Sequence, residues 1–220
     1  MEPIEQLVTT IFHTMYYYSS HTWNGGNTKW MGVPVLQNPL DMWILQEVIC
    51  ETKPELIIET GSAVGGSALF YVSIAALLKV ISIDTQTEMK AQISHPRIKF
   101  MKGMSTDKKI VEQVKRAVKD KRIMVVLDSD HSAENVLKEM TTFGPLVTPG
   151  CYMVVCDTNL GGNPIQNGAV PGPGPMGGLQ QFLDKDKGRT FEIDKSREKF
   201  YMTFFPNGWL RRKVENPSKT

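Results

Sequence analysis

Residues 56–67 read LIIETGSAVGGS and residues 80–84 read VISID, and no other feature limits the possible folds of this chain as tightly. A short apolar run ends in an acid, Glu59, and is followed by a turn with Gly61, Gly65 and Gly66. A helix-like stretch over residues 68–78 leads to a second apolar run that also ends in an acid, Asp84. Strand, turn, helix and strand in this order form a nucleoside-binding unit. Glycines let the backbone approach a ligand, the helix N-terminus offers free N–H groups, and a carboxylate at the second strand's end can accept both ribose hydroxyls. The spacing Gly-x-x-x-Gly-Gly differs from the Gly-x-Gly-x-x-Gly of pyrophosphate cofactors. Glu59 would repel a diphosphate and suit a cationic or zwitterionic ligand such as S-adenosylmethionine (SAM). A dinucleotide site and a purely structural turn are the alternatives.

The rest of the chain continues the alternation. Strands are predicted at residues 97–101, 123–127 and 151–156, and helices at 42–50 (capped by Asp41), 108–119 and 132–140 (capped by Ser132). An opening helix is expected within residues 1–22. Residues 22–39 read as a loop holding Trp23 and Trp30, and residues 161–178 as a Gly/Pro-rich loop. A short helix at 178–183 and a terminal β pair, 192–193 with 199–205, complete the reading. The expected fold is α/β, a doubly wound, mostly parallel Rossmann-like sheet with a terminal antiparallel pair. It forms one domain over residues 1–220, with residues 1–53 as a helical, aromatic cap. Ligands of such sheets bind at the carboxyl ends of the strands. Four predicted strands place an acid there: Glu59, Asp84, Asp128 and Asp157.

Composition narrows the classes. A formal net charge of +2 is too weak to argue for nucleic acid or an anionic membrane as the main partner. The three cysteines, Cys50, Cys151 and Cys156, lack CxxC spacing and sit in apolar runs, as buried thiols of a reducing compartment do. No signal-peptide pattern and no apolar run of about 20 residues is found, so a cytoplasmic location is expected.

The segments NPLDMWILQEVI, PELIIETGSAVGGSALF, VISIDT, HPRIKFMKGMSTD, VVLDSDHS, VTPGCYMVVCDTN and PGPGP cover most of residues 38–182 in order. Together they resemble the cephalosporin hydroxylase family of class I SAM-dependent methyltransferases, related to macrolide and rhamnosyl O-methyltransferases. The resemblance implies that Glu59, Gly61, Ser62, Gly65, Gly66 and Ser67 surround the methionine part of SAM. It implies ribose at Asp84, adenine near Met104 and Ser105, and Asp128 close to cofactor and metal. Metal-dependent relatives hold magnesium through positions matching Asp128, Cys156 and Asp157. Cys156 departs from the family's Glu-Asp-Thr, and a thiol is a poor ligand for a hard cation, so magnesium binding is expected to be weak or absent.

His131 follows Asp128 by three residues, where the chain leaves the sheet, and is the candidate general base, with Asp128 beside it in the catalytic set. Trp23, Trp30 and His131 are the candidate acceptor-binding residues, with the 161–178 loop as a lid. The expected reaction is methyl transfer to a hydroxyl of a small natural-product or sugar-like acceptor. A non-catalytic SAM-binding subunit and a SAM enzyme of another reaction type are alternatives. An oxygenase is disfavoured because four histidines show no HxD pattern. The aromatic N-terminus offers surface for a homo-oligomer.

Overall fold

The computed structural model describes residues 2–22, 26–86, 93–165, 170 and 172–214. Its centre is a seven-stranded sheet. Five strands run parallel: β3 (Leu56–Thr60), β4 (Lys79–Asp84), β5 (Ile98–Lys102), β6 (Ile123–Leu127) and β7 (Tyr152–Val155). β9 (Trp209–Arg212) enters antiparallel between β7 and β8 (Phe191–Ile193), giving the order β5-β4-β3-β6-β7-β9-β8. A hairpin, β1 (Lys29–Trp30) and β2 (Val33–Pro34), lies outside this sheet. The helices are α1 (Pro3–Tyr18), α2 (Pro39–Thr52), α3 (Gly66–Ile74), α4 (Lys108–Ala117), α5 (Ala133–Phe143) and α6 (Gly174–Leu183). Among the described residues no helix is long and apolar enough to cross a membrane.

Parallel strands buried on both faces carry near-continuous apolar runs, and their period of two divides the core. Ile57, Met124, Val126 and Val154 face one cluster, with Ile44, Leu45, Val48 and Phe70. Ile58, Val125, Leu127, Met153 and Val155 face the other, with Val114, Met140, Phe143 and Phe182. The register aligns the strand ends: Thr60 pairs with both Ile83 and Leu127, and Leu127 with Val155. The residues that follow these strands therefore emerge along one edge.

Several elements differ from the sequence reading. α2 begins at Pro39, and its cap is Asn38, whose side chain accepts from Leu40 N at 3.1 Å. Asp41 is buried instead, accepting from Thr203 Oγ1 and, at 2.7 Å, from Phe204 N. α3 ends at Ile74 and not at residue 78. α6 starts at Gly174, inside the segment read as loop, because Pro175 sits in the helix's first turn, where its missing N–H costs nothing. The partner of β8 is β9. Residues 199–205 form no strand but a strap across α2: Lys199 pairs with Glu47 at 2.6 Å, and Asn38 Nδ2 donates to Met202 O at 2.6 Å.

Candidate active site

Gly61 leaves β3 with φ +81°, and a Cβ there would stand 1.8 Å from the Asp128 carbonyl oxygen. The first turn and the β6 loop therefore touch backbone to backbone, which only glycine permits. Beyond it the chain enters α3 through Gly65, its left-handed N-cap. Between the two loops lies a cavity of about 590 Å³. Its walls include Gly61, Ser62, Gly66, Ser67, Asp84, Met104, Ser105, Asp128, His131 and Asp157, all read as site residues from sequence.

Asp84 does more than wait for a ligand. Its Oδ2 accepts from Ser62 N (2.9 Å) and Ala63 N (3.0 Å), and Oδ1 accepts from Gln86 N (2.8 Å). Each carboxylate oxygen has roughly two acceptor positions, so Oδ1 keeps one for a ligand hydroxyl and Oδ2 is filled. Glu59 and Gly65 are not in the cavity wall. Glu59 is fully buried beneath the turn, with Ser82 Oγ at 2.5 Å from its Oε2, and Ser82 Oγ also contacts Ser62 Oγ. The acid lies beneath the turn, bonded to Ser82, and is not among the residues that line the cavity.

At the other end of the cavity, His131 Nε2 lies 3.5 Å from Asp157 Oδ2, and both side chains keep about a quarter of their exposure (28% and 23%). Gln37 Nε2 donates to Asp128 Oδ2 at 2.6 Å. Desolvation, then the neighbouring Asp157 and Glu59, holds the Asp128 carboxyl well above the usual carboxylate range. Asp157 is raised by desolvation too, an effect His131 opposes. Two carboxylates that repel each other and an imidazole beside them form a site that gains from a cation. Asp128, His131 and Asp157 can each offer one ligand atom, all within 4.8 Å of one another, so the donor set fits a divalent ion.

Cys156 does not join them. It is buried in the core among the side chains that include Ile57 and Val154, and desolvation pushes its thiol well above its ordinary range. One residue past the end of β7, its side chain takes the face opposite to the one Val155 fills. The third donor near the two acids is His131. Trp30 is not among the residues that line the cavity. Its ring packs edge-on against Phe70 at 4.9 Å and its Nε1 donates to Ser73 Oγ at 3.1 Å, holding the β1–β2 hairpin on α3. Trp23 lies outside the described residues, as do residues 166–169 and 171 of the loop read as a lid.

Sequence reasoning missed three participants. Tyr17 of α1 and Gln37 line the cavity. Glu139 is buried below it and accepts from Ser129 Oγ (2.7 Å), Thr60 Oγ1 (3.1 Å) and Ser105 Oγ. One α5 carboxylate thus ties the end of β3 to the loops after β5 and β6. Its signal was available: Glu139 falls on the same helical face as Val136, Met140 and Phe143, where an acid has no reason to be unless it has partners.

A family profile described as Rhamnosyl O-methyltransferase/CmcI matches residues 22–213. The rhamnosyl O-methyltransferase of Mycobacterium leprae is 39% identical over 208 residues, covering 90% of this chain and 88% of that protein. The one from Mycobacterium bovis is 35% identical over 207 residues, covering 90% and 82%. Among solved structures, a Mg–SAM complex of CmcI superposes with a TM-score of 0.61 at 16% identity, over 86% of this chain and 78% of that one. MycE methyltransferase with Mg and S-adenosylhomocysteine (SAH) gives 0.57 at 15% identity, over 96% and 56%. These structures share the fold of the chain, and the sequence matches go further: the chain belongs to the rhamnosyl O-methyltransferase/CmcI family and is a SAM-dependent O-methyltransferase.

Proposed function

We propose that this enzyme methylates a hydroxyl of a small, sugar-bearing acceptor, with His131 taking the hydroxyl proton. The observation that carries the reading is the His131–Asp157 pair at 3.5 Å on the cavity wall, on the edge where strand ends converge. SAM supplies an electrophilic methyl when bound. The chain's residues have to hold the acceptor oxygen in line with it, exclude water and remove a proton. Asp157, 3.5 Å from His131 Nε2, is the carboxylate placed to stabilise the imidazolium that forms when the proton is taken. The sugar class follows from the names of the Mycobacterium relatives and suits a cavity with Pro34 and Leu36 on one wall and hydrogen-bonding groups on the other. Asp128 and Asp157 would hold a divalent cation, and its chemistry there is to lower the hydroxyl's pKa. Magnesium in the neighbouring CmcI and MycE structures supports that assignment.

The test uses a rhamnose-bearing acceptor and His131→Ala. Turnover is expected to fall by roughly 10²–10⁴-fold while calorimetric affinity for SAH stays within a few-fold. Full turnover in the variant removes His131 from the role. A collapse of manganese affinity in the same variant reassigns it as a metal ligand.

A further inference from the structure

α1 is apolar on two sides. One side meets the protein: His13 is buried, and Phe12, Tyr16 and Tyr17 pack on the core around Phe204. The other side points outward and carries Ile4, Leu7, Val8, Ile11, Met15 and Tyr18, each 44–69% exposed. Positions 4, 8, 11, 15 and 18 are separated by 4, 3, 4 and 3 residues, the spacing of a seam between two packed helices. The hydroxyls of Thr10 and Thr14 donate to the carbonyls of Gln6 and Thr10, so they place no demand for water beside the stripe.

We propose that this outer face of α1 is a homodimer interface, occupied by the same face of a second copy. The stripe reads nearly the same in both directions about Ile11. Around a two-fold axis, Ile11 meets its own equivalent, Val8 and Leu7 meet the partner copy's Met15, and Ile4 meets its Tyr18. Half-exposed side chains of this size offer on the order of 600 Å² per copy, or ~1,200 Å² for the pair, which reaches the range of stable specific interfaces. Charge argues against a lipid surface: residues 1–28 contain Glu2 and Glu5 but no lysine or arginine, whereas helices that lie on membranes carry a basic polar face. α1 also brings Tyr17 to the cavity wall, so pairing would brace one wall of the active site.

Sedimentation equilibrium of the full chain tests this. The expected mass is twice the 24.7 kDa of one chain, falling to that of one chain when Ile11→Glu is combined with Met15→Glu. Both substituted side chains lie on the outer face, so an SAH-dependent rise in melting temperature should persist and show that the variant folds. Crosslinking gives an independent reading. In a Cys50→Ser background, Ile11→Cys should form a disulfide-linked dimer under mild oxidant, whereas Ile4→Cys should not link to itself. A monomeric wild type, a dimer that survives both glutamates, or a monomer that co-sediments with phosphatidylcholine vesicles each overturns the proposal.

Discussion

Asp41 shows how a residue can be legible as a type and still misread in its role. Burial raises its carboxyl to about 7, against the pull of its bonds to Thr203 and Phe204. A folded value above the unfolded one means that the neutral form is the favoured native form. The group's contribution to stability is then largest below pH ~4, declines as pH rises towards 7, and is flat beyond. Asp41→Asn should therefore remove roughly 1–4 kcal/mol of pH-dependent loss between pH 4 and 7. Denaturant titrations of both proteins across that range check this, and parallel pH profiles would refute it. Asp84, Asp128 and Asp157 were readable because each ends an apolar run, a local pattern. Gln37 and the burial of Asp41 were not, since their partners lie 91 and 163 residues away along the chain. Cys156, read as a buried thiol and a poor ligand, is that, and strand alternation supplies the reason: it decides which neighbour of a strand end faces the site.

At the scale of elements, the first strand–turn–helix unit depends on one contact. Gly61→Ala would force a side chain against the Asp128 carbonyl and strain a positive φ. We expect a loss of more than about 2 kcal/mol of stability together with loss of SAH binding, measured by urea unfolding and calorimetry. Near-normal values for both would mean that the two loops can separate without consequence. The parallel strands were visible as apolar runs with turns between them, and β3 and β6 matched closely. The C-terminal antiparallel pair was visible through β8, but its partner was not. Residues 199–205, KFYMTFF, carry the aromatic and β-branched content of a strand, yet tertiary contacts turn them into a strap. The true strand β9 is four residues long and gains its place from Trp209, which is wholly buried.

The cavity draws its walls from α1, the β1–β2 region and the loops after β3, β4, β5, β6 and β7, so a ligand there touches most of the molecule. A ligand that binds only the folded chain should raise its stability by about 2.7 kcal/mol at a hundred times its dissociation constant. For a chain of this length that corresponds to a rise of about 5–10 °C in melting temperature. SAH in a thermal scan is expected to produce it, and NAD is not. A shift with NAD alone would undo the cofactor assignment. The fold class was legible from sequence because alternating strands and helices leave few topologies. The packing of α1 was not, since nothing local says where an amphipathic helix will dock.

The docking of α1 also has a consequence in time. Its inward ring, His13, packs at a tilt against Phe204, and its Nδ1 lies 3.2 Å from the Asn159 side-chain amide. A ribosome adding about 5–20 residues per second makes residue 204 roughly 10–40 seconds after residue 13. Throughout that interval the newborn helix has neither its bed nor its closing strap. A helix made well before its bed is thus among the last to settle, and a nascent chain of this enzyme carries an unburied apolar stripe past whatever attends the ribosomal exit.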